Sequence, residues 1–592
     1  MTDADFSLTG FDIAGIDRRQ NARPEGRVRL QSRAAHALEQ GRARLIVTAA
    51  MFGLAFGTVG LRLVDVMVLN RGAEPGAGRA VTAGAPQASR ADILDRNGVL
   101  LATSLTTASL FADPKLVIDA EEAARKLVAT LPELDYRTVL AELTSDKRFV
   151  WLKRNLTPRQ QFEVNRLGLP GVSFQKEERR IYPQGNLAAH LVGFTGVDNN
   201  GLMGMEQSFD KRLKENPQPL QLSVDVRIQH ILRKEIMATM EEFSAIGGAG
   251  IVQDVKTGEI LGFVSLPDFD PHIPGDMPDD TRFNRASLGV FEMGSTMKIL
   301  NTAMALDSGH VKMTDSFDAT RPIRVGRFSI SDYHPENRWM NVPEIFRESS
   351  NIGSVKMAQV VGPQGQREFM QRIGFLKPAQ IEIPEVGWPL IPNPWKEVNL
   401  MTVSFGHGIS ISPVQLTNSV SAVVNGGIMH PATLLKREKG EEVPGTRVVS
   451  AKTSEEIRKL MRLVVTDGTA KQAFMEKAAL AGEVPSYMVG GKTGTAEKTR
   501  GRTYVKNARL SNFVGAFPIN DPRYTIFIMI DEPKGTKKSF GYATAGWTAA
   551  PAARRVIDQI GPLLGVKPVN LTAPDVVEAM AIDGMRGTLA SY

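Results

Sequence analysis

Cysteine is absent from the chain, which excludes disulfides, thiolate metal sites and thiol nucleophiles. Histidine is sparse: eight residues, His334 and His407 among them, are scattered without ligand spacing, so neither a metal centre nor a cofactor is expected. Charge of one sign is nowhere concentrated enough to hold nucleic acid. The net charge of +7 is dispersed, and no basic helix or stripe of basic and aromatic residues occurs. Two other signatures are missing. Gly491-Lys492-Thr493 ends like a phosphate-binding loop, but Ser486 stands where its first glycine is required. No G-x-S-x-G surrounds Ser295, which argues against an α/β-hydrolase. What is present is ordinary for a globular chain of several domains: 42% hydrophobic and 23% charged residues over 592 positions.

Long apolar runs are also scarce, and the exception is informative. Residues 45–61 carry no charge, and continued past Arg62 to Leu69 they are long enough to span about 30 Å of hydrocarbon. Arg42 and Arg44 at the front edge place the N-terminus inside. A cleaved signal peptide is the competing reading, with Ala83-Gly84-Ala85 as a cleavage-like site. The polar region before the run is too long and that site too distant, so an uncleaved anchor is expected. Gly53 and Gly57, with Gly60 near the same face, would let another membrane helix approach closely. Residues 1–44 are polar and arginine-rich and read as a disordered tail; Gly72 to Ser89 reads as a linker.

Further on, Asn97-Gly98 between apolar runs predicts a hairpin. Lys256-Thr257-Gly258 is expected to join two buried strands, 250–255 and 259–264. Thr453-Ser454-Glu455-Glu456 has the capping-box pattern and should open a helix running to about Val464. Residues 487–495, 513–517 and 524–530 read as strands and 551–564 as a closing helix. The class is α+β, helices packed on an antiparallel sheet.

The chemistry centres on Phe291-Glu292-Met293-Gly294-Ser295-Thr296-Met297-Lys298. Gly294 allows a sharp turn, and the apolar spacing after Lys298 is helical. Ser295 then sits at a helix N-terminus with Lys298 one turn on, on the same face. A hydroxyl becomes a good nucleophile when a base takes its proton, and lysine is a base only when neutral. Burial and the positive end of the helix dipole both favour the neutral amine. The Ser295 N–H is also available to an oxyanion. Taken alone, S-x-x-K also fits a serine cap followed by a surface lysine. Downstream, however, Ser349-Ser350-Asn351 supplies S-x-N and Lys492-Thr493-Gly494-Thr495 supplies K-T-G-T.

With these three elements, and with Ser404-Phe405-Gly406-His407-Gly408, Asn425-Gly426-Gly427 and Asp531-Glu532-Pro533-Lys534, the chain resembles class B penicillin-binding proteins, best their septal, cell-division branch. Met293, where many members have proline, and Ala543-Thr544-Ala545-Gly546-Trp547 depart from the family pattern without touching a catalytic group. The resemblance implies a penicillin-binding transpeptidase fold on an elongated α/β pedestal, with one N-terminal transmembrane helix. The expected plan is a cytoplasmic tail (1–44), an anchor (45–69), a linker (70–89), a pedestal (90–221), a transpeptidase domain (222–565) and a C-terminal tail (566–592). Arg96, Arg179 and Glu206 of the pedestal are assigned to structure or partner docking.

The resemblance also implies a peptidoglycan D,D-transpeptidase that takes a stem pentapeptide through an acyl-enzyme and is acylated by β-lactams. Ser295 is the expected nucleophile and Lys298 its base; Ser349 and Lys492 relay a proton to the departing amine, and Asn351 positions Lys298. Thr493, Gly494 and Thr495 bind substrate, and the N–H groups of Ser295 and Thr495 form the oxyanion hole. Expected partners are a membrane-embedded glycosyltransferase of the SEDS type and other division proteins, at the bacterial inner membrane with the catalytic domain periplasmic. Two rivals use the same motifs: a membrane-anchored serine β-lactamase, and a penicillin sensor or non-catalytic division scaffold. Glu382 and Glu385 lie at a suggestive distance after Asn351 for a β-lactamase base, but neither opens an E-x-x-x-N pattern.

Overall fold

The structure, a computed structural model, describes residues 46–60, 89–276, 278–326, 328–474, 486–500, 503–571 and 573–582. Two units are distinguished, residues 1–87 and residues 88–592. Of the first, residues 46–60 are helical and exposed. Among the described residues no helix is long and apolar enough to cross a membrane. Residues 45 and 61–69 of the expected span, the tail before it and all but the last residue of the linker lie outside the described residues.

The second unit begins with the expected hairpin. β1 (Ile93–Leu94) turns back into β2 (Leu100–Ala112). Asp95 Oδ1 holds the turn by accepting from the N–H groups of Asn97 and Val99 at 2.7 and 2.8 Å. Then follow α1 (Ala120–Thr130), α2 (Tyr136–Leu143), β3 (Val150–Leu156), α3 (Pro158–Asn165) and β4 (Val172–Ile181). The side chains of Asp119, Asp135 and Thr157 cap the three helices, each taking up an N–H that the first turn leaves unpaired. β2 is the spine of the sheet, antiparallel to both β3 and β4. Leu110, Ala112, Val150 and Leu156 of β2 and β3 meet Leu127, Val139 and Val164 of the helices in a core of their own. β5 (Leu220–Gln221) pairs in parallel with β1.

A buried charge cluster locks the start of this unit to the strand and turns that follow. Glu206, fully buried, accepts from Arg90 Nε at 2.6 Å and from Arg180 Nε at 2.7 Å. Arg90 also reaches Asp210 at 2.7 Å. The neighbouring Arg179, singled out in the sequence, points to solvent.

The larger core begins with α4 (Val226–Glu242) and the expected hairpin β6 (Gly247–Asp254) and β7 (Ile260–Leu266). A Cβ on Gly248 or Gly250 would come within 2.6 Å of Ile236, so glycine is what lets α4 lie directly on β6. After these come α5 (Lys298–Asp307), α6 (Val342–Glu348), α7 (Asn351–Arg372), α8 (Pro413–Val424) and α9 (Ala451–Asp467). β8 (Gly490–Arg500), β9 (Thr503–Phe517), β10 (Tyr524–Asp531) and α10 (Ala549–Leu563) complete the unit. The sheet order is β8-β9-β10-β6-β7, antiparallel throughout. α5 is buried from Lys298 to Leu306, which is why its sequence is apolar nearly all round.

Three details correct the sequence reading. α9 starts at Ala451, because Ser450 supplies the cap by accepting from Thr453 N at 3.1 Å. Thr453 lies inside the helix, its hydroxyl bonded to Asp307. β8 and β9 run well beyond the apolar stretches that marked them, since ladder pairing carries their polar ends. The residues after 565 contribute to the main core through Val569, which bridges to Ser486, and through the buried Ile582.

Removing one member of a buried ion cluster leaves the others uncompensated. Glu206→Gln is therefore expected to lower the unfolding free energy by about 3–5 kcal/mol. Urea titration of the purified chain checks this, and a change indistinguishable from zero would contradict it.

Candidate active site

The turn Gly294–Met297 leads directly into α5 and carries Ser295 half-exposed. Gly294 has φ +58°, and a Cβ there would lie 2.9 Å from the Thr495 carbonyl oxygen. A Cβ on Gly494 would lie 2.6 Å from the Met293 oxygen, and one on Gly406 only 2.1 Å from the Gly294 oxygen. Three chain segments thus meet at a distance that only glycine permits. Asn512 on β9 pins the turn from below: Nδ2 donates to Met293 O at 3.1 Å, and Oδ1 accepts from Thr296 Oγ1 at 3.0 Å.

Ser349 ends α6 in the left-handed conformation, with φ +57°. Ser350 then caps α7 by accepting from Gly353 N at 2.9 Å. Asp332 fixes this corner, accepting from Ser350 Oγ at 2.7 Å, Asn351 N at 2.5 Å and Ile352 N at 3.0 Å. The corner presents Ser349 and Asn351 to Lys298. Lys298 Nζ lies 2.5 Å from Ser349 O, 2.8 Å from Asn351 Oδ1 and 3.2 Å from Ser349 Oγ. From the other side, Lys492 Nζ donates to Ser349 Oγ at 2.9 Å and to Thr493 O at 3.3 Å. One hydroxyl therefore sits between two amines.

Both amines are essentially inaccessible to water. Burial, reinforced by the charge of Lys492, holds Lys298 well below the ordinary lysine range, and Asp332 opposes this only in part. Burial alone brings Lys492 down to about 7. A neutral Lys298 has two N–H bonds to give, and Ser349 O and Asn351 Oδ1 are placed to take them. Its lone pair is left for a proton. Ser295 Oγ makes no hydrogen bond to Lys298 or to any other described residue.

On β8, Thr493 Oγ1 pairs with Thr469 Oγ1 at 2.5 Å, and Thr495 Oγ1 accepts from Ala545 N at 3.2 Å. Alternation along the strand puts the two threonines on one face, beside the turn of Ser295. Glu292, just before that turn, accepts from Gly408 N at 2.8 Å and Tyr504 OH at 3.1 Å, and burial raises its carboxyl. His407 packs against Phe405 and Tyr504; burial and the charge of Lys298 push it down to about 4, so it is neutral at physiological pH. No group of carboxylates, histidines and cysteines that could hold a metal occurs among the described residues.

All the residues singled out in the three motifs lie around this cleft. Sequence reasoning missed Asp332, Asn512 and Thr469. Asn512 left a weak trace, a polar residue in an apolar strand; Asp332, distant in sequence from the corner it caps, left none.

The buried amines carry a stability cost with a definite sign. Folded Lys492 titrates near 7, against an ordinary value of 10.5 that the unfolded chain retains. Below the lower value both states are charged and the folded state bears the full desolvation penalty. Between the two, the unfolded chain holds the extra proton, so stability rises with pH. Lys492→Met is accordingly expected to melt higher than wild type at about pH 6, with the gain shrinking toward about pH 10. Thermal melts at both pH values check this, and a gain that grows with pH would contradict it.

Known proteins match the chain over most of its length. Residues 248–558 match the penicillin binding protein transpeptidase domain, and residues 85–236 match the penicillin-binding protein dimerisation domain. The chain is 40% identical over 552 residues to the probable peptidoglycan D,D-transpeptidase FtsI of Caulobacter vibrioides, covering 90% of this chain and 92% of that one. It is 28% identical to the peptidoglycan D,D-transpeptidase FtsI of Escherichia coli K12, over 84% of this chain and 87% of the relative. The fold is shared with penicillin binding protein 3 of Mycobacterium tuberculosis, solved in complex with aztreonam, at a TM-score of 0.62, 22% identity and coverage of 82% and 97%. A transpeptidase-domain match spanning more than half of the chain, together with the Caulobacter relative, establishes that the chain belongs to the penicillin-binding protein transpeptidase family.

Proposed function

We propose that this chain is a peptidoglycan D,D-transpeptidase of the FtsI type. The observation that carries the reading is Ser349 Oγ held between Lys492 and Lys298, the latter one turn after Ser295 along the chain. Ser295 Oγ attacks the penultimate D-alanine carbonyl of a stem peptide, and its proton passes to Lys298 Nζ. The bond to the terminal D-alanine nitrogen breaks, and that nitrogen takes a proton through Ser349 Oγ, which Lys492 supports. An amine from a neighbouring strand then attacks the Ser295 ester, loses its proton to the same amines and restores the hydroxyl. Asn351 orients Lys298, the N–H groups of Ser295 and Thr495 receive the oxyanion, and each such donor is worth roughly 3–4 kcal/mol. Thr493, Gly494 and Thr495 bind the substrate's end. β-Lactams acylate the same serine.

The β-lactamase rival needs a carboxylate to activate water. Glu382 accepts from Thr433 and Leu434, and Glu385 from Gly204 through one oxygen; neither carboxylate is hydrogen-bonded to Ser295, Lys298, Ser349 or Lys492.

We read residues 45–69 as a single membrane anchor, supported by the helix at 46–60 and by Arg42 and Arg44 before it. The N-terminus is then cytoplasmic and the catalytic domain periplasmic, at the inner membrane of the division site. Residues 90–221 form the pedestal, 222–565 the transpeptidase domain and 566–592 the C-terminal tail. A membrane-embedded glycosyltransferase and other division proteins dock on the anchor and the pedestal; open space around Gly53 and Gly57 suits a helix partner.

Labelling of cell fractions with a fluorescent penicillin tests the reading. Wild type is expected to label in the membrane fraction and stay labelled for many minutes, Ser295→Ala to remain unlabelled, and deletion of residues 45–69 to move the label to the soluble fraction. Rapid loss of label would favour the β-lactamase. Rescue of septation by Ser295→Ala in a depletion strain would favour the scaffold.

A further inference from the structure

The segment between β10 and α10 carries three aromatic rings at the surface. Phe540 is 78% and Tyr542 49% exposed, and Trp547 is half-buried. They form one cluster: Tyr542 lies parallel to Trp547 with 6.1 Å between centroids, and Phe540 meets Trp547 edge to face at 5.8 Å. The loop that carries them is closely bonded. Gly541 N donates to Thr536 O at 2.9 Å and Tyr542 N to Ser539 O at 2.8 Å. Thr536 N donates to Ser539 Oγ at 2.9 Å, and Ser539 N returns a bond to Thr536 Oγ1 at 3.2 Å. The rings are thus held outward in fixed positions, although burial would stabilise them. Phe540 is kept there in the left-handed conformation, φ +52°, which a bulky residue rarely adopts. Apolar surface displayed in this way marks a contact site.

The loop ends on the catalytic strand. Ser511 Oγ on β9 donates to Ala543 O at 2.7 Å, and Ala545 N donates to Thr495 Oγ1 at 3.2 Å. A Cβ on Gly546 would lie 2.9 Å from the Thr469 oxygen, and Thr469 pairs with Thr493. The cluster therefore borders the end of the cleft where Thr493 and Thr495 take the terminal D-alanine. In the proposed reaction that alanine leaves, and the amine of a second strand enters at the same place. What extends from the cleft over this loop is then the acceptor strand, since the donor stem leads away on the other side of Ser295.

Two parts of that strand could meet the rings. The stem peptide brings methyl groups and charged side chains. The glycan brings sugar rings, each with an apolar C–H face and polar edges. Aromatic faces with a phenol O–H and an indole N–H at their margins complement the second. We infer that Phe540, Tyr542 and Trp547 seat an N-acetylated sugar ring of the acceptor strand's glycan, so that its stem reaches the Ser295 ester from the Thr495 end. The reach is sufficient. Tyr542 stands three residues from Ala545, and an extended stem covers the same roughly 10 Å in about three residues. The inference rests on the transpeptidase reading and deepens it.

The test uses the full chain in detergent micelles and a thioester stem analogue as acyl donor. Two acceptors are released from the wall of the bacterium that carries the chain: the monomeric stem with its disaccharide, and the same stem freed of sugar. Transfer is followed by mass spectrometry. The sugar-bearing acceptor is expected to show a KM about three- to tenfold below that of the bare stem, as one aromatic contact allows. Phe540→Asn removes a ring and suits the left-handed backbone, and Tyr542→Leu removes the stack. Each is expected to bring the ratio of the two KM values close to one. Equal KM values in the wild type would overturn the assignment. So would a ratio that survives both substitutions, which would leave the cluster to a protein partner. Penicillin acylation of the same wild-type samples reports the Ser295 reading separately. Acylation without transfer to either acceptor sinks transpeptidation and the sugar seat with it, whereas transfer that ignores the sugar sinks only the seat.

Discussion

Two lysine amines buried against one serine hydroxyl are the constraint on which the rest of this structure depends. A charge taken out of water is costly, and two like charges at one hydroxyl are costlier still. The protein relieves that cost by holding the Lys298 amine well below the ordinary lysine range, which favours the neutral state in which an amine accepts a proton. The same burial that makes the site unfavourable for stability therefore makes it competent for chemistry. Hydrogen bonding refines the arrangement, since Ser349 O and Asn351 Oδ1 take up the N–H bonds of Lys298 and orient what remains.

Holding this arrangement is the work of groups that take no part in bond making. Gly294, Gly406 and Gly494 let three backbones touch, and any side chain at these positions would drive them apart. Asn512 fastens the nucleophile's turn to the central sheet, and Asp332 ties the Ser349–Asn351 corner to the loop before α6. The sheet, with α4 pressed on one side of β6 and α5 buried beneath the cleft, supplies a frame rigid enough to keep the amines desolvated. Further from the cleft, Glu206 does a comparable job between Arg90 and Arg180, with the difference that Asp210 on Arg90 brings the cluster's charges into balance.

Much of the site was legible because its chemistry is carried by short local patterns. Ser295 and Lys298 share a face for reasons of helical spacing alone, and Thr493 and Thr495 for reasons of strand alternation. Their convergence with Ser349 and Asn351 was legible only as a resemblance, since nothing local says that distant segments meet. Asp332 was invisible for the same reason. Local patterns also misled where two residues offered the same chemistry: Ser450 and Thr453 both have a capping hydroxyl, and the one that leaves a longer helix is used. Arg179 and Arg180 are likewise alike on paper, and only strand register decides that Arg180 turns inward. The ends of β8 and β9 are polar because they extend beyond the core, so the hydrophobic pattern that marks a strand stopped short of them.

Burial is what allows Lys298 to act as a base toward Ser295. The rate of Ser295 acylation by a penicillin, followed across pH on the folded chain, tests it most directly. The rate is expected to rise as Lys298 loses its proton, with a midpoint well below the ordinary lysine value of 10.5. A rate that is flat across the range, or that rises only as that ordinary value is approached, would contradict it.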